Sequence, residues 1–236
     1  QALGVNVSNP ADWNGVTWSG GNVVAIDWKD KKLAGVLNLE NFKKLKSVDV
    51  SRNQLTGLSV SGSAVLSELN ANRNRLTQLK VDGCTELAKL SVYHNRLLDL
   101  EFSGTPMLVN VNVSSNHLVT LNVSNALNLT TLNCQGNHLE TLQVNGCTAL
   151  KHLYAGYNKL TTVNLFGLEN LFRRHPDGLS SMESAEILFI VFIKALPAGD
   201  LCLLHQPDGV CFLCHSYHRG YYTIFSPSLQ RVFFSK

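Results

Sequence analysis

A mainly β solenoid is the fold class this sequence predicts, and three observations predict it. First, Asn53, Asn74, Asn95, Asn116, Asn137 and Asn158 recur at a strict interval of 21 residues. A fixed period of this size marks a stack of small units, each burying its apolar face against its neighbours. Second, apolar residues keep the same phase. Leu45, Leu66, Leu87, Leu108, Leu129 and Leu150 open six full units that run from 45 to 170. Third, each unit holds two patches with an apolar residue at every second position, such as Val48 with Val50 and Leu58 with Val60. Period-two alternation means strand, and the space between the patches falls short of the roughly ten residues a helix needs.

Each unit reads L-x-x-L-x-L-x-x-N-x-L-x-x-L-x-L-x-G, with Gly62, Gly83, Gly104, Gly146 and Gly167 at the closing turn and Asn125 in the fourth unit. This pattern resembles the leucine-rich repeat family, from about residue 23 to 171. The short unit, with L-x-x-L-x-V in its second half, is most similar to repeats of secreted and surface proteins of bacteria. The resemblance implies a right-handed solenoid with a parallel concave sheet, an extended convex side and no regular helices in the repeats. It also implies a non-catalytic recognition role, with a location outside the cell or on its surface.

Residues 1–44 read as an N-terminal cap and an aberrant first repeat. Trp13, Gly15, Val16 and Trp18 form a W-x-G-V-x-W run, similar to the cap that opens many arrays of this family, and Lys31 stands where a ladder Asn would be. A stack exposes its core at each end, so an end unit has to seal it. Trp13 and Trp18 are the expected seal. Residues 171–236 leave the pattern: Arg174 falls where a core Leu belongs. Ser181 to Leu196 is expected to be a helix, with Pro197 and Gly199 ending it. Four apolar runs split by turn residues, at 201–205, 210–217, 221–225 and 231–234, predict a β-meander. The segment is therefore an α+β cap or, alternatively, the product of a shifted reading frame near Leu171. The chain opens on Gln1 rather than Met, which is expected of a mature form or a fragment.

The chain of 236 residues has a net charge of only +3. That argues against a general nucleic-acid binder. No apolar run approaches the roughly 18 residues of a membrane span. Cys84 and Cys147 share one repeat position three units apart, about 14 Å at sheet spacing. A disulfide needs Cα atoms within about 7 Å, so these two do not pair. In the tail, Cys202, Cys211, Cys214 and His215 form a weak zinc candidate, without the second well-spaced knuckle that makes such motifs specific. No cofactor is expected, and neither a phosphate loop nor a nucleophile motif points to an enzyme.

Function is expected on outward strand positions, two, four, six and seven residues after each opening Leu. Arg52, Arg73, Tyr93 and His94 cluster at one end of this surface, and His152, Tyr154 and Tyr157 at the other. Tyr and Arg are frequent interface anchors, and the polar residues between them suit hydroxyl groups. The residue after each ladder Asn is Gln54 in the first unit and then a basic rim of Arg75, Arg96, His117, His138 and Lys159. The partner expected for this surface is a protein or a polysaccharide, with a ligand-free spacer or adhesin segment as the alternative role. The ladder Asn residues are assigned to structure, because an inward Asn can bond the backbone of the turn that leaves each strand.

Overall fold

The protein is described here by a computed structural model, covering residues 13–40, 42–102, 104–161, 163–165 and 167–171, together with the backbone of 202–205, 211–217 and 221–225. It is a mainly β solenoid, and each unit places a short strand on one concave sheet. The sheet begins with β1 (Val16–Ser19) and β2 (Asn22–Asp27), an antiparallel hairpin turned by Gly20 and Gly21, both at positive φ. On the convex side β3 (Ala34–Asn38) follows. The first unit adds β4 (Ser47–Asp49) to the concave sheet and β5 (Gln54–Ser59) to the convex one, and the second adds β6 (Glu68–Asn70) and β7 (Gln78–Lys80). The third gives only β8 (Lys89–Ser91). The fourth gives β9 (Asn110–Asn112) and β10 (Thr120–Asn122), the fifth β11 (Thr131–Asn133) and β12 (Thr141–Gln143), and the sixth β13 (His152–Tyr154).

The concave sheet is continuous through eight strands, in the order β1-β2-β4-β6-β8-β9-β11-β13. Its parallel register holds unit for unit, with Val48, Leu69, Leu90, Val111, Leu132 and Leu153 side by side. Their side chains enter a single core. The opening leucines, from Leu45 to Leu150, are no more than 1% exposed. Burying each is worth roughly 2 kcal/mol.

The convex side is in two pieces, β3-β5-β7 and β10-β12. No backbone ladder joins 98–102 to either neighbouring unit among the described residues. The sequence supplies a cause. Val60, Val81, Val123 and Val144 form one convex column, and the third unit puts Phe102 in it. A ring does not fit the space of a valine at strand spacing, since packed interiors have no slack for the extra carbons. Phe102 sits only half-buried against the core.

At the N-terminal end the expected seal is corrected for Trp18, while Trp13 is half-buried. Trp28, 7% exposed, closes the core and donates from Nε1 to the Asn14 carbonyl at 3.0 Å. Trp18 stays 37% exposed, edge-on to Trp13 at 6.2 Å between ring centroids. The register slip between Thr17 and Trp18 accounts for the difference, because a bulge re-aims the side chain that follows it.

At the other end a 3-10 turn, Glu169–Leu171, ends the regular stack among the described residues. Beyond it, β14 (Cys202–His205), β15 (Cys211–Tyr217) and β16 (Tyr221–Phe225) form an antiparallel sheet. The helix expected over 181–196 and the strand over 231–234 lie outside the described residues. Among those residues no helix is long and apolar enough to cross a membrane.

Candidate functional site

The site is built by the turn that leaves each concave strand. A chain leaving a sheet strands its backbone groups, and buried ones need partners. The ladder asparagines supply them. Asn116 donates from Nδ2 to the Val113 carbonyl of its own unit and the Val92 carbonyl of the unit before, each at 3.0 Å. Its Oδ1 accepts from the Leu97 N–H at 3.1 Å. Asn74, Asn95, Asn137 and Asn158 repeat the arrangement. Asn53 does the same against the cap, through Trp28, Val50 and Leu33. All six are between 2% and 9% exposed.

The residue just before each ladder Asn is left-handed. Arg52, Arg73, His94, Ser115 and Tyr157 have φ between 54° and 57°, and Gly136 has 64°. Residues with a Cβ pay about 1 kcal/mol or more for this conformation. The convex turn makes the same demand and meets it differently. Gly62, Gly83, Gly104 and Gly146 occupy it, with Asn125 in the fourth unit. One turn takes the residues its backbone prefers. The other takes Arg, His and Tyr.

Two of those side chains, Arg73 and His94, meet Tyr93 at one end of the concave sheet. The Arg73 guanidinium lies over the Tyr93 ring, 6.0 Å from Cζ to the centroid. Tyr93 meets His94 edge-on at 5.3 Å. Asn72, 8% exposed, fixes this corner from beneath by accepting from the Tyr93 N–H at 2.9 Å and the Ser91 hydroxyl at 3.0 Å. Arg52 and Arg73 are exposed and form no ion pair among the described residues. The nearby Glu68–Lys89 pair, at 2.5 Å, neutralises itself at an exposed position. At the far end His152 and Tyr154 are half-buried and Tyr157 is exposed.

The polar middle is not free in the way the sequence suggests. Asp49, Asn70, Asn112 and Asn133 each accept, through Oδ1, the N–H of the residue two further on. These side-chain turns cap the strand exits. The third and sixth units have Ser91 and Tyr154 there, and these are the units that carry the aromatic clusters. This division of labour is missed by phase alone. Its signal is the Asp/Asn run at that position, since both residues make such turns.

The basic rim is a true column. The backbone N–H of Arg75, Arg96, His117, His138 and Lys159 each donates to a core leucine carbonyl of the preceding unit at 2.9 Å. All five side chains are exposed. His117 and His138 stack, with centroids 5.5 Å apart and ring planes 15° from parallel.

The solenoid cysteines offer no reactive thiol. Cys84, Cys134 and Cys147 are free and buried. Burial pushes Cys84 up to about 11 and Cys134 up to about 12, and it raises Cys147 as well. Cys84 donates to the Val60 carbonyl at 3.3 Å and Cys147 to the Val123 carbonyl at 3.0 Å. Among the described residues no group of three or more His, Cys, Asp or Glu is placed to hold a metal. In the tail, Cys202 pairs with Cys214 across β14 and β15, and His205 with Cys211. The zinc candidate of Cys202, Cys211, Cys214 and His215 rests on side chains that lie outside the described residues.

No protein-family model matches the chain, and no curated protein matches it. Among solved structures it is similar to the functional domain of InlJ from Listeria monocytogenes, which includes a cysteine ladder. The TM-score is 0.54 at 28% identity, over 57% of this chain and 30% of that one. The chain thus matches less than a third of the length of that structure.

Proposed function

Because the chain is a leucine-rich-repeat-like solenoid, we propose that it is a recognition module, exported or held on a bacterial surface. It binds a protein or glycan partner on its concave face. The observation that carries this reading is the contrast between the two left-handed turns. The fold prefers Gly or Asn at such positions, and the concave turn bears Arg52, Arg73, His94 and Tyr157 instead. Strain retained where a cheaper residue is available is a mark of use, because nothing else offsets it.

The mechanism is multi-point contact without chemistry. Arg73 and Tyr93 form a pre-assembled anchor, with the cation already over the ring. A side chain held in its bound geometry loses less entropy on association. Tyr154 and Tyr157 are the second anchor, about 14 Å away at sheet spacing. The basic rim steers an anionic partner toward the sheet, an effect that salt screens. The face is read as non-catalytic, because chemistry needs convergent groups in a pocket and the proposed surface is an open sheet.

The test is a panel of surface proteins and glycans immobilised for binding to the full chain. The Arg73→Ala, Tyr93→Ala, His94→Ala triple variant is measured beside it. The expected result is a ligand whose affinity drops at least ~tenfold in the variant, with the melting temperature retained. Equal affinity would remove the concave anchor and leave the spacer role as the better reading.

A further inference from the structure

The convex break is more than an irregularity. It opens a cleft of about 790 Å³ between the third and fourth units, lined by Asp99, Glu101, Phe102, Pro106, Thr120 and Asn122 among others. Three independent features meet there. The first is backbone. A regular stack would pair 98–102 with 119–123, as β10 pairs with β12, and here no such bond forms among the described residues. The β10 edge and the irregular segment 98–102 therefore face one cleft with no ladder bond between them.

The second feature is apolar surface. Eight large apolar side chains are exposed among the described residues, and Leu98, Met107, Val109, Val119 and Leu127 are five of them. They adjoin the lining in sequence. Leu98 precedes Asp99, Val119 precedes Thr120, Met107 follows Pro106 and Leu127 follows Ala126. Apolar residues thus mark both ends of the cleft. The equivalent positions in other units carry Thr56, Thr77 and Glu140 at one end; at the other, Ala64, Thr85 and Thr148 match Leu127, and Val65, Glu86 and Asn128 match Met107. The third feature is charge. Asp99 and Glu101 are exposed on the wall, and neither has an ion-pair partner among the described residues.

We propose that this cleft binds one extended cationic polypeptide segment of a partner protein, as an added strand. Free strand edges are satisfied best by another backbone, the mode by which peptides add to sheets. The two carboxylates ask for Lys or Arg in the middle of the segment. Leu98 with Val119 at one end, and Met107 with Leu127 at the other, ask for apolar residues at its ends. The β10 edge spans Thr120 to Asn122, three positions, about 10 Å of strand. The site is independent of the concave face, so it admits a second partner at the same time.

The probe is an end-capped, fluorescent peptide of alternating valine and lysine, titrated into the full chain and read by anisotropy. Two variants accompany it. The Asp99→Asn, Glu101→Gln pair removes the charge and leaves the shape. Phe102→Val restores the residue of the other units and closes the break, and its melting curve verifies folding. Saturable binding to the wild type, weakened at least ~tenfold in each folded variant, is the expected result. A valine–glutamate peptide should not bind. No saturation by ~1 mM of the lysine peptide overturns the proposal. So does binding unchanged in the charge variant, a result that stands even if Phe102→Val fails to fold.

Discussion

The concave and convex sheets are made by the same six units, yet one is continuous and the other is broken. The concave sheet runs through eight strands. The convex ladder stops after β7 and resumes at β10. The difference lies in how each is enforced. On the concave side every unit carries an Asn that bonds its own turn and the unit before it, so neighbouring units are tied by side chains as well as by ladder bonds. The convex side has no such Asn column, and its ladder bonds depend on the fit of the apolar side chains beneath them. One oversized residue, Phe102, is then enough to part the units. The lesson is that a repeat stack tolerates variation where stacking rests on size alone and resists it where polar groups are shared between units.

The largest effect that tests this contrast is removal of one amide from each side. Asn116→Ala deletes three hydrogen bonds to buried backbone groups. It should cost about 3–5 kcal/mol in urea unfolding, because the partners are left unsatisfied. On the convex side Asn122 is exposed and its Oδ1 accepts only the Ser124 N–H. Asn122→Ala should cost under ~1 kcal/mol. Similar losses in the two variants would mean that the Asn column is not what distinguishes the sheets.

A second effect should show without mutation. The amides of Leu100 and Glu101 have no backbone acceptor among the described residues, whereas those of Val113 and Ser115 donate to Asn133 and Gln135 at 2.8 Å. In hydrogen exchange, the first pair should exchange at least ~100-fold faster than the second. Equal protection would mean that the convex ladder is whole in solution.

Much of this architecture is legible in the sequence, and the limits have physical reasons. The period places the six concave strands from β4 to β13, because a column of Asn and Leu leaves only one register for stacking. Phase also assigns Arg73, Tyr93 and His94 to neighbouring units. It does not place the Arg73 guanidinium over the Tyr93 ring, since that geometry depends on a left-handed backbone at Arg73 and His94. The convex break is written in Phe102, but as a volume rather than a pattern. Phe satisfies the apolar position as well as Val does, and only the spacing between units makes it too large. The cap shows the same limit. Trp13, Trp18 and Trp28 are equally apolar, and the bulge in the hairpin decides which of them stays outside.

The smallest effect is the most specific, because it compares the two left-handed turns directly. His94, at φ 54°, pays the steric cost of a Cβ in this region. His94→Gly removes that cost, though glycine gives back part of the gain through its freer unfolded chain. The net should be a stabilisation of roughly 0.5–1 kcal/mol. The convex counterpart should move the other way. Gly83 sits at φ 71°, and an added Cβ would meet nothing closer than the Gly62 Cα at 3.6 Å. Space is ordinary there, so the loss in Gly83→Ala is nearly all backbone strain, about 1 kcal/mol. Opposite signs from the two substitutions would show that the concave turn retains His94 at the expense of stability. That is how residues kept for binding behave, because such positions are rarely optimised for the fold. If His94→Gly destabilised instead, its ring would be part of the packing, and the case for a strained recognition surface would lose its footing.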